Sequence, residues 1–264
     1  KKKEIYKITK NFKSKIKFID TALKYRIPKN KINLIKNFKI ITKINFENGA
    51  NIQSIIEKKI IESLKNFKAK SFEAILLHDT RILNKHNTNS VEYVQILEKL
   101  KRNKLCKNIG VSIYDPNELK IVLKYFKPDI IQAPLNIFDQ RLIKSKWFKY
   151  LLKNNIKIHI RSIFLKKILL IDSKELPKYF YKWKKTFYKF EDFCKSNNLL
   201  KIEACLNFVL QFKHVKGIVI GVDNINQLNE ITKIKKIKNK YIMSQLNSFS
   251  LNNKKIIDPR VWKL

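Results

Sequence analysis

The chain has 264 residues, with 58 Lys plus Arg against 21 Asp plus Glu and a formal net charge of +37. At 44% hydrophobic and 11% aromatic it holds enough core material to exclude a wholly disordered chain. No apolar run reaches the roughly 18 residues of a membrane span, because Lys interrupts each one.

Residue 1 is Lys and the single methionine is Met243, so the natural N-terminus is expected upstream of Lys1. Lys1–Lys3 is not followed by the apolar stretch of a secretory signal. The first ten residues read as a helix. Strand-like runs then follow at Ile16–Ala22, Phe38–Ile44, Phe72–His78, Asn108–Ile113, Asp129–Pro134, Ile156–Phe164 and Gly217–Val222. They are nearly continuous apolar stretches, as in a buried parallel sheet. Helix patterns lie between them at Ile52–Phe67, Ser90–Arg102, Asn117–Phe126, Ser145–Lys153, Lys201–Phe212 and Ile225–Lys236. Asp115-Pro116-Asn117 predicts a helix start, with the cap just before a proline. The segment 172–198, rich in Lys and aromatics, reads as a helical insertion packed on the domain. The tail Ile256–Trp262 is apolar enough to dock back.

Alternating strand and helix predicts a parallel sheet with crossover helices. Seven strand runs are visible where a closed (β/α)8 barrel needs eight. Since a helix comes first, the expected missing strand lies before Lys1, and a barrel lacking it would expose two sheet edges. No composition shift marks a boundary, so residues 1–264 read as one domain.

The net charge invites a nucleic-acid reading. Two features argue otherwise. Nearly all the cations are Lys, whereas base and phosphate readers lean on Arg. Lys, Ile and Asn, which share AT-rich codons, make up nearly half the chain, so an AT-biased genome accounts for the charge. The three cysteines, Cys106, Cys194 and Cys205, fit neither a disulfide framework nor a zinc pattern and read as reduced thiols of a cytoplasmic protein. No metal site is expected.

In barrels of this kind the chemistry sits where strands end. The first three runs end in Asp20-Thr21-Ala22 followed by Tyr25, in Thr42-Lys43, and in His78-Asp79. A phenol near its ordinary pKa of about 10 is a poor acid at neutral pH. A neighbouring ammonium favours the phenolate and makes it a better one. A carboxylate holds that ammonium charged, and an imidazole can orient a substrate oxygen. Such a set can protonate a carbonyl oxygen while hydride reaches its carbon. Each residue alone also has a plain structural reading, as a loop cap, a solvated lysine or a core histidine.

With these residues the sequence resembles the aldo/keto reductase family, in a bacterial branch. Segments match in order: Asp20–Ala22, Ile41–Lys43, Leu76–His78, Ile109–Ser112, Ile131–Asn136 with Asp139–Arg141, Arg161–Leu165, Gly221–Glu230 and Asp258–Trp262. The resemblance implies an α/β fold, a (β/α)8 TIM barrel. It implies NADP as cofactor, with NAD open, and a small aldehyde or ketone as substrate; the branch alone points to sugar-like carbonyls. The family's tetrad falls on Asp20, Tyr25, Lys43 and His78, with Tyr25 as proton donor. The nicotinamide contacts fall on Ser112 and Gln132. Arg161, Ser162, Phe164 and Leu165 follow along the cofactor, and Gly221, Asn224, Gln227 and Glu230 at its adenosine phosphate end. Departures are also visible. Tyr25-Arg26 replaces Tyr-Gly, and Lys166-Lys167 stands where the branch has Gln-Gly, a costly exchange wherever φ must be positive. Arg161 takes the place of a stacking Tyr. Asp223 lies near the expected 2′-phosphate and would repel it. Other readings of the same residues are a cofactor-binding regulatory subunit without turnover and, further off, a basic nucleic-acid-binding protein. Oligomeric state is not legible.

Overall fold

A computed structural model describes residues 15–25, 38–46, 51–83 and 89–263. It contains seven strands: β1 (Phe18–Asp20), β2 (Lys39–Ile44), β3 (Phe72–Leu77), β4 (Cys106–Ser112), β5 (Ile130–Pro134), β6 (Lys157–Arg161) and β7 (Val215–Ile218). All pair in parallel and in chain order, from β1 at one edge to β7 at the other. Each expected strand run therefore holds a strand, but the first is only Phe18–Asp20, and the last lies at Val215–Ile218 and stops four residues short of the expected Val222. The helix expected over the first ten residues lies outside the described residues.

The sheet is strongly curled. In a flat sheet β1 and β6 would stand about 24 Å apart, five strand spacings. Instead the Phe18 and His159 rings meet at 5.2 Å between centroids, and Gln132 on β5 reaches Asp20 on β1. The concave face holds its own small core of Ile41, Ala74, Leu76 and Ile130, with Phe18 against it. The much larger core fills the space between the convex face and the helices. Strands buried on both faces have no need of polar alternation, which is why they read as continuous apolar runs.

Two glycines shape the concave face. At Gly217 a Cβ would press on the His159 ring, so the missing side chain makes room for that imidazole. At Gly110 a Cβ would overlap the backbone carbonyl oxygen of Ile130. Close approach of β4 and β5 therefore requires glycine there. Among the described residues β1 and β7 exchange no backbone hydrogen bonds, and an apolar cavity of about 820 Å³ opens beside them, lined by Phe18, Ile41, Phe212, Val215, Ile218 and Leu228 among others.

The helices follow their apolar periodicity. α1 (Ile52–Phe67) buries Ile52, Ile56, Ile60, Leu64 and Phe67 along one stripe, each worth about 1.5–3 kcal/mol of burial. It stops at Lys68, whose backbone turns left-handed (φ 51°) while its N–H reaches back to Leu64 and Lys65. α2 (Ser90–Arg102) matches its expected span. The pattern over 117–126 is split: Pro116–Glu118 forms a 3₁₀ turn and α3 (Leu119–Tyr125) continues it. Asp115 and Glu118 close a reciprocal capping box there, as the Asp-Pro-Asn signal predicts.

α4 (Arg141–Lys144) and α5 (Lys146–Lys153) precede β6. The run expected to continue to Phe164 ends at Arg161, because Ser162 turns to positive φ and starts a loop. The 172–198 segment is helical, with 3₁₀ turns before α6 (Lys184–Ser196). α7 (Lys201–Leu210) and α8 (Ile225–Lys233) flank β7. α9 (Lys240–Ser248) and the short α10 (Lys254–Ile257) were not evident from periodicity. The tail docks as expected: Ile256 and Ile257 are buried, and Trp262 packs edge-on against Phe180 at 4.9 Å. Among the described residues no helix is long and apolar enough to cross a membrane.

Gly110→Ala is expected to destabilise the fold by at least about 3 kcal/mol, since backbone rather than a flexible side chain must move. Urea unfolding of the variant, with a midpoint unchanged from the parent, would refute the close approach of β4 and β5.

Candidate active site

Side chains alternate between the two faces of a strand. Phe18, Ile41, Leu76 and Ile130 face the concave side. Two residues further toward the carboxyl ends, Asp20, Lys43, His78 and Gln132 share that parity, as do Ser112, paired with Gln132, and Arg161, two residues past His159. The polar strand ends are thus brought to one rim by arithmetic of the pleat.

Lys43 carries its ammonium inward, where only 5% of the side chain meets solvent. It forms an ion pair with Asp20 and donates to the Thr21 carbonyl at 3.3 Å. The other Asp20 oxygen accepts from Gln132 Nε2 at 2.9 Å. Burial lowers the Lys43 pKa, Asp20 opposes that shift, and the charge of Arg161 adds to it. His78 follows β3, its backbone N–H donating to the Ile44 carbonyl at 2.9 Å. Its Nδ1 is buried with no hydrogen-bond partner among the described residues. Burial, and then the cations Lys24, Lys43 and Arg161, lower its pKa to about 4, so the imidazole is neutral at physiological pH. Tyr25 sits one turn beyond β1, with its backbone N–H on the Ala22 carbonyl and its side chain half exposed. Among the described residues no hydrogen bond joins its hydroxyl to Lys43 or His78. The structure therefore brings Asp20, Lys43 and Gln132 into direct contact and gathers His78 beside them, with Tyr25 at the rim.

A second group of expected residues gathers further along. Phe164, Gly221, Gln227 and Glu230 line one cavity of about 600 Å³, together with Lys167 and Leu170. That is ample for part of a dinucleotide. Gly221 leaves open space where a Cβ would stand. Asn224 caps α8 by accepting from the Gln227 N–H at 3.0 Å, at the kind of helix end that favours anions. Asp223 pairs with Lys167 at 2.7 Å, which offsets the repulsion expected of a lone carboxylate there. Ser162 is tied to its own loop: its carbonyl accepts from Asn136 Nδ2 and its hydroxyl from Arg161. Leu165 is fully buried in the core and does not line the cavity. Ser112 is buried at the rim. The glycine replacement has the cost foreseen for it: Leu165, Lys166 and Lys167 all adopt positive φ (46°, 51° and 71°), at about 1–2 kcal/mol each for side chains bearing a Cβ.

Two neighbours, Lys24 and Tyr114, had no sequence signal. Lys24 adds positive charge to His78. Tyr114, just past β4, lies 4.0 Å from the Arg161 guanidinium and 3.7 Å from that of Arg260. Two guanidinium groups that close to one ring centre must occupy its opposite faces. This stack joins β4, β6 and the C-terminal tail, which no local pattern relates. The tail is also fastened by Lys254 to Asp115 at 3.5 Å, near Arg141, whose guanidinium holds Asp115 at 2.9 Å and Asp139 at 2.8 Å.

The model of the Aldo/keto reductase family matches residues 2–249. This chain belongs to the aldo/keto reductase family. The holo form of an aldo-keto reductase from Bacillus halodurans is similar in fold at 17% identity and a TM-score of 0.72, covering 92% of this chain and 86% of that one. The glycerol dehydrogenase from Gluconobacter oxydans gives 17% identity and a TM-score of 0.69, covering 93% and 84%. An aldo-keto reductase of the silkworm Bombyx mori gives 15% and 0.69, covering 96% and 79%. Among curated proteins no sequence matches. The seven curled parallel strands are thus those of a (β/α)8 aldo/keto reductase barrel, and the family is one of oxidoreductases that use nicotinamide cofactors.

The two concave-side histidines carry a pH signature. His78 and His159 both have pKa values lowered to about 4, mainly by burial, against an ordinary 6.5. Between those values the unfolded chain binds more protons than the folded one, so stability rises with pH across this window. The urea midpoint is expected to fall from pH 6.5 to pH 4.5. The double variant His78→Asn, His159→Asn should flatten that slope; an equal slope would show that neither imidazole is held neutral.

Proposed function

We propose that the chain is a nicotinamide-dependent reductase that converts an aldehyde or ketone to an alcohol, as a single barrel domain over residues 1–264. The observation that supports this most is the buried Lys43–Asp20 pair at the carboxyl rim, beside an imidazole held neutral. A cation kept out of water exerts its field on nearby groups with little screening, and Tyr25 is the phenol that the chain offers to it. Tyr25 serves as the proton donor to the carbonyl oxygen. Lys43 makes the phenol acidic and stabilises the phenolate left behind, while Asp20 and Gln132 hold Lys43 in place. Neutral His78 orients the carbonyl oxygen by a hydrogen bond rather than acting as the acid.

The dihydronicotinamide, when bound, supplies the hydride. Ser112 and Gln132 receive its carboxamide end, with Arg161, Ser162 and Phe164 beside it. The 600 Å³ cavity with Gly221, Asn224, Gln227 and Glu230 holds the adenosine phosphate end. Lys167, which neutralises Asp223, supports NADP as the cofactor, with NAD as the second choice. Small carbonyl compounds, sugar-like ones included, are the substrates. The three free, buried cysteines suit a reducing compartment, so the assigned location is the cytoplasm.

One observation favours a second reading, a cofactor-binding subunit without turnover: no hydrogen bond ties the Tyr25 hydroxyl to Lys43 or His78 among the described residues. NADPH oxidation with a panel of aldehydes, alongside cofactor fluorescence, separates the two. Turnover supports the reductase, and binding without turnover supports the subunit. Tyr25→Phe is expected to lower turnover by about 10²–10⁴ while NADPH still binds. Unchanged turnover would remove Tyr25 from the role.

A further inference from the structure

Arg161 is half-buried at the rim, and among the described residues no carboxylate lies within ion-pair distance of it. Its guanidinium donates to the Ile113 carbonyl at 2.9 Å and to the Ser162 hydroxyl at 3.2 Å. One of its faces lies on the Tyr114 ring. These contacts hold the group still but leave its charge uncompensated, and the rest of its N–H donors are uncommitted among the described residues. The carboxylates whose field reaches it are already engaged. Glu118 accepts from the Thr80 hydroxyl and from the backbone of Tyr114 and Asp115. Asp258 is held by the Arg260 guanidinium at 3.0 and 2.6 Å.

The surrounding charge has the same sign. Among the described residues Lys24, Lys43 and Arg161 each act on His78, against one carboxylate, that of Asp20. A rim with this excess of positive charge, partly withdrawn from water, is incomplete without an anion. A guanidinium that is fixed by a ring and a carbonyl is preorganised for one, since its planar fork matches a carboxylate or phosphate.

We propose that Arg161 is a specificity residue that binds an anionic group on the substrate, so that the preferred substrates are carbonyl compounds bearing a carboxylate or phosphate. This deepens the reductase reading and rests on it for turnover. The stack orders the contact: Tyr114 holds the guanidinium flat, and Arg260 from the tail covers the far side of the ring. The cofactor's diphosphate is the other source of the same chemistry, and the test separates it.

The test compares 4-carboxybenzaldehyde with its methyl ester, which removes the charge at little change in size; the ester group also withdraws electrons more strongly and activates its carbonyl, so a preference for the acid cannot be electronic. In kcat/KM the wild-type chain is expected to prefer the acid by about 10–100-fold, the range of a charge-assisted contact. The preference should shrink as NaCl is raised. With NADPH saturating for each variant, as set by fluorescence titration, Arg161→Met should abolish it and Arg161→Lys should retain part of it. Equal use of acid and ester by the wild type overturns the proposal and leaves the reductase intact. Loss of NADPH affinity in Arg161→Met with the acid preference kept assigns the guanidinium to the cofactor and also overturns it. If neither aldehyde is turned over, the reductase reading fails, and calorimetric binding of benzoate decides the anion site by itself. Binding lost in Arg161→Met sustains the site, and no binding by the wild type removes it.

Discussion

An ammonium group is expensive to withdraw from water, by several kcal/mol even after relaxation. Lys43 nevertheless points into the curled sheet with almost none of its side chain exposed. What makes this tenable is Asp20, delivered by the neighbouring strand β1, with its second oxygen occupied by Gln132 from β5. The pair is also a geometric constraint. Asp20 meets Lys43 only if β1 and β2 are parallel and in register, and it meets Gln132 only if the sheet curls until strands four spacings apart face one another. The same contact that compensates the buried charge therefore depends on the curvature of the fold.

Around that pair the electrostatics are lopsided. Burial first, and then Lys24, Lys43 and Arg161, disfavour a proton on His78, whose imidazole is neutral as a result. Arg161 itself is held by a ring and two oxygens instead of a carboxylate. A surface rich in lysine is a diffuse property of the whole chain, screened by salt within about 10 Å. The rim differs because Lys43 and Arg161 are partly or wholly buried and held in place. The overall charge follows from composition, whereas this local excess follows from which side chains the strands aim at one point.

The composition has a second consequence, in the backbone. With four glycines in the whole chain, none of those described sits at positive φ. Left-handed positions fall to Asn51, Asn155 and Asn198, which tolerate them, and to Lys68, Lys104, Ser162, Leu165, Lys166 and Lys167, which do so at a cost. In the loop after β6 three such residues, Leu165, Lys166 and Lys167, follow one another beside the cavity of about 600 Å³. The strain is stored beside the site, where packing of Leu165 into the core and the Lys167–Asp223 pair hold it.

From the amino-acid order alone it was possible to read where strands and long helices lie, because apolar periodicity and capping are local. Ile52–Phe67, Ser90–Arg102 and the Asp115 cap coincide with what formed. The polar ends of the strands, Asp20, Lys43 and His78, were also legible, since a strand that runs out of apolar residues must end near solvent. The split at Pro116–Leu119, the early end of β6 and the helices α9 and α10 were not, because caps and backbone turns there are settled by neighbours distant in sequence. Tertiary structure alone decided that Gln132 would hold Asp20 and that Leu165 would serve the core. It also decided that Arg161 and Arg260 would share the two faces of Tyr114. Those contacts depend on register and curl, which add up over the entire sheet, whereas a sequence pattern reports only on residues within a turn or two of one another.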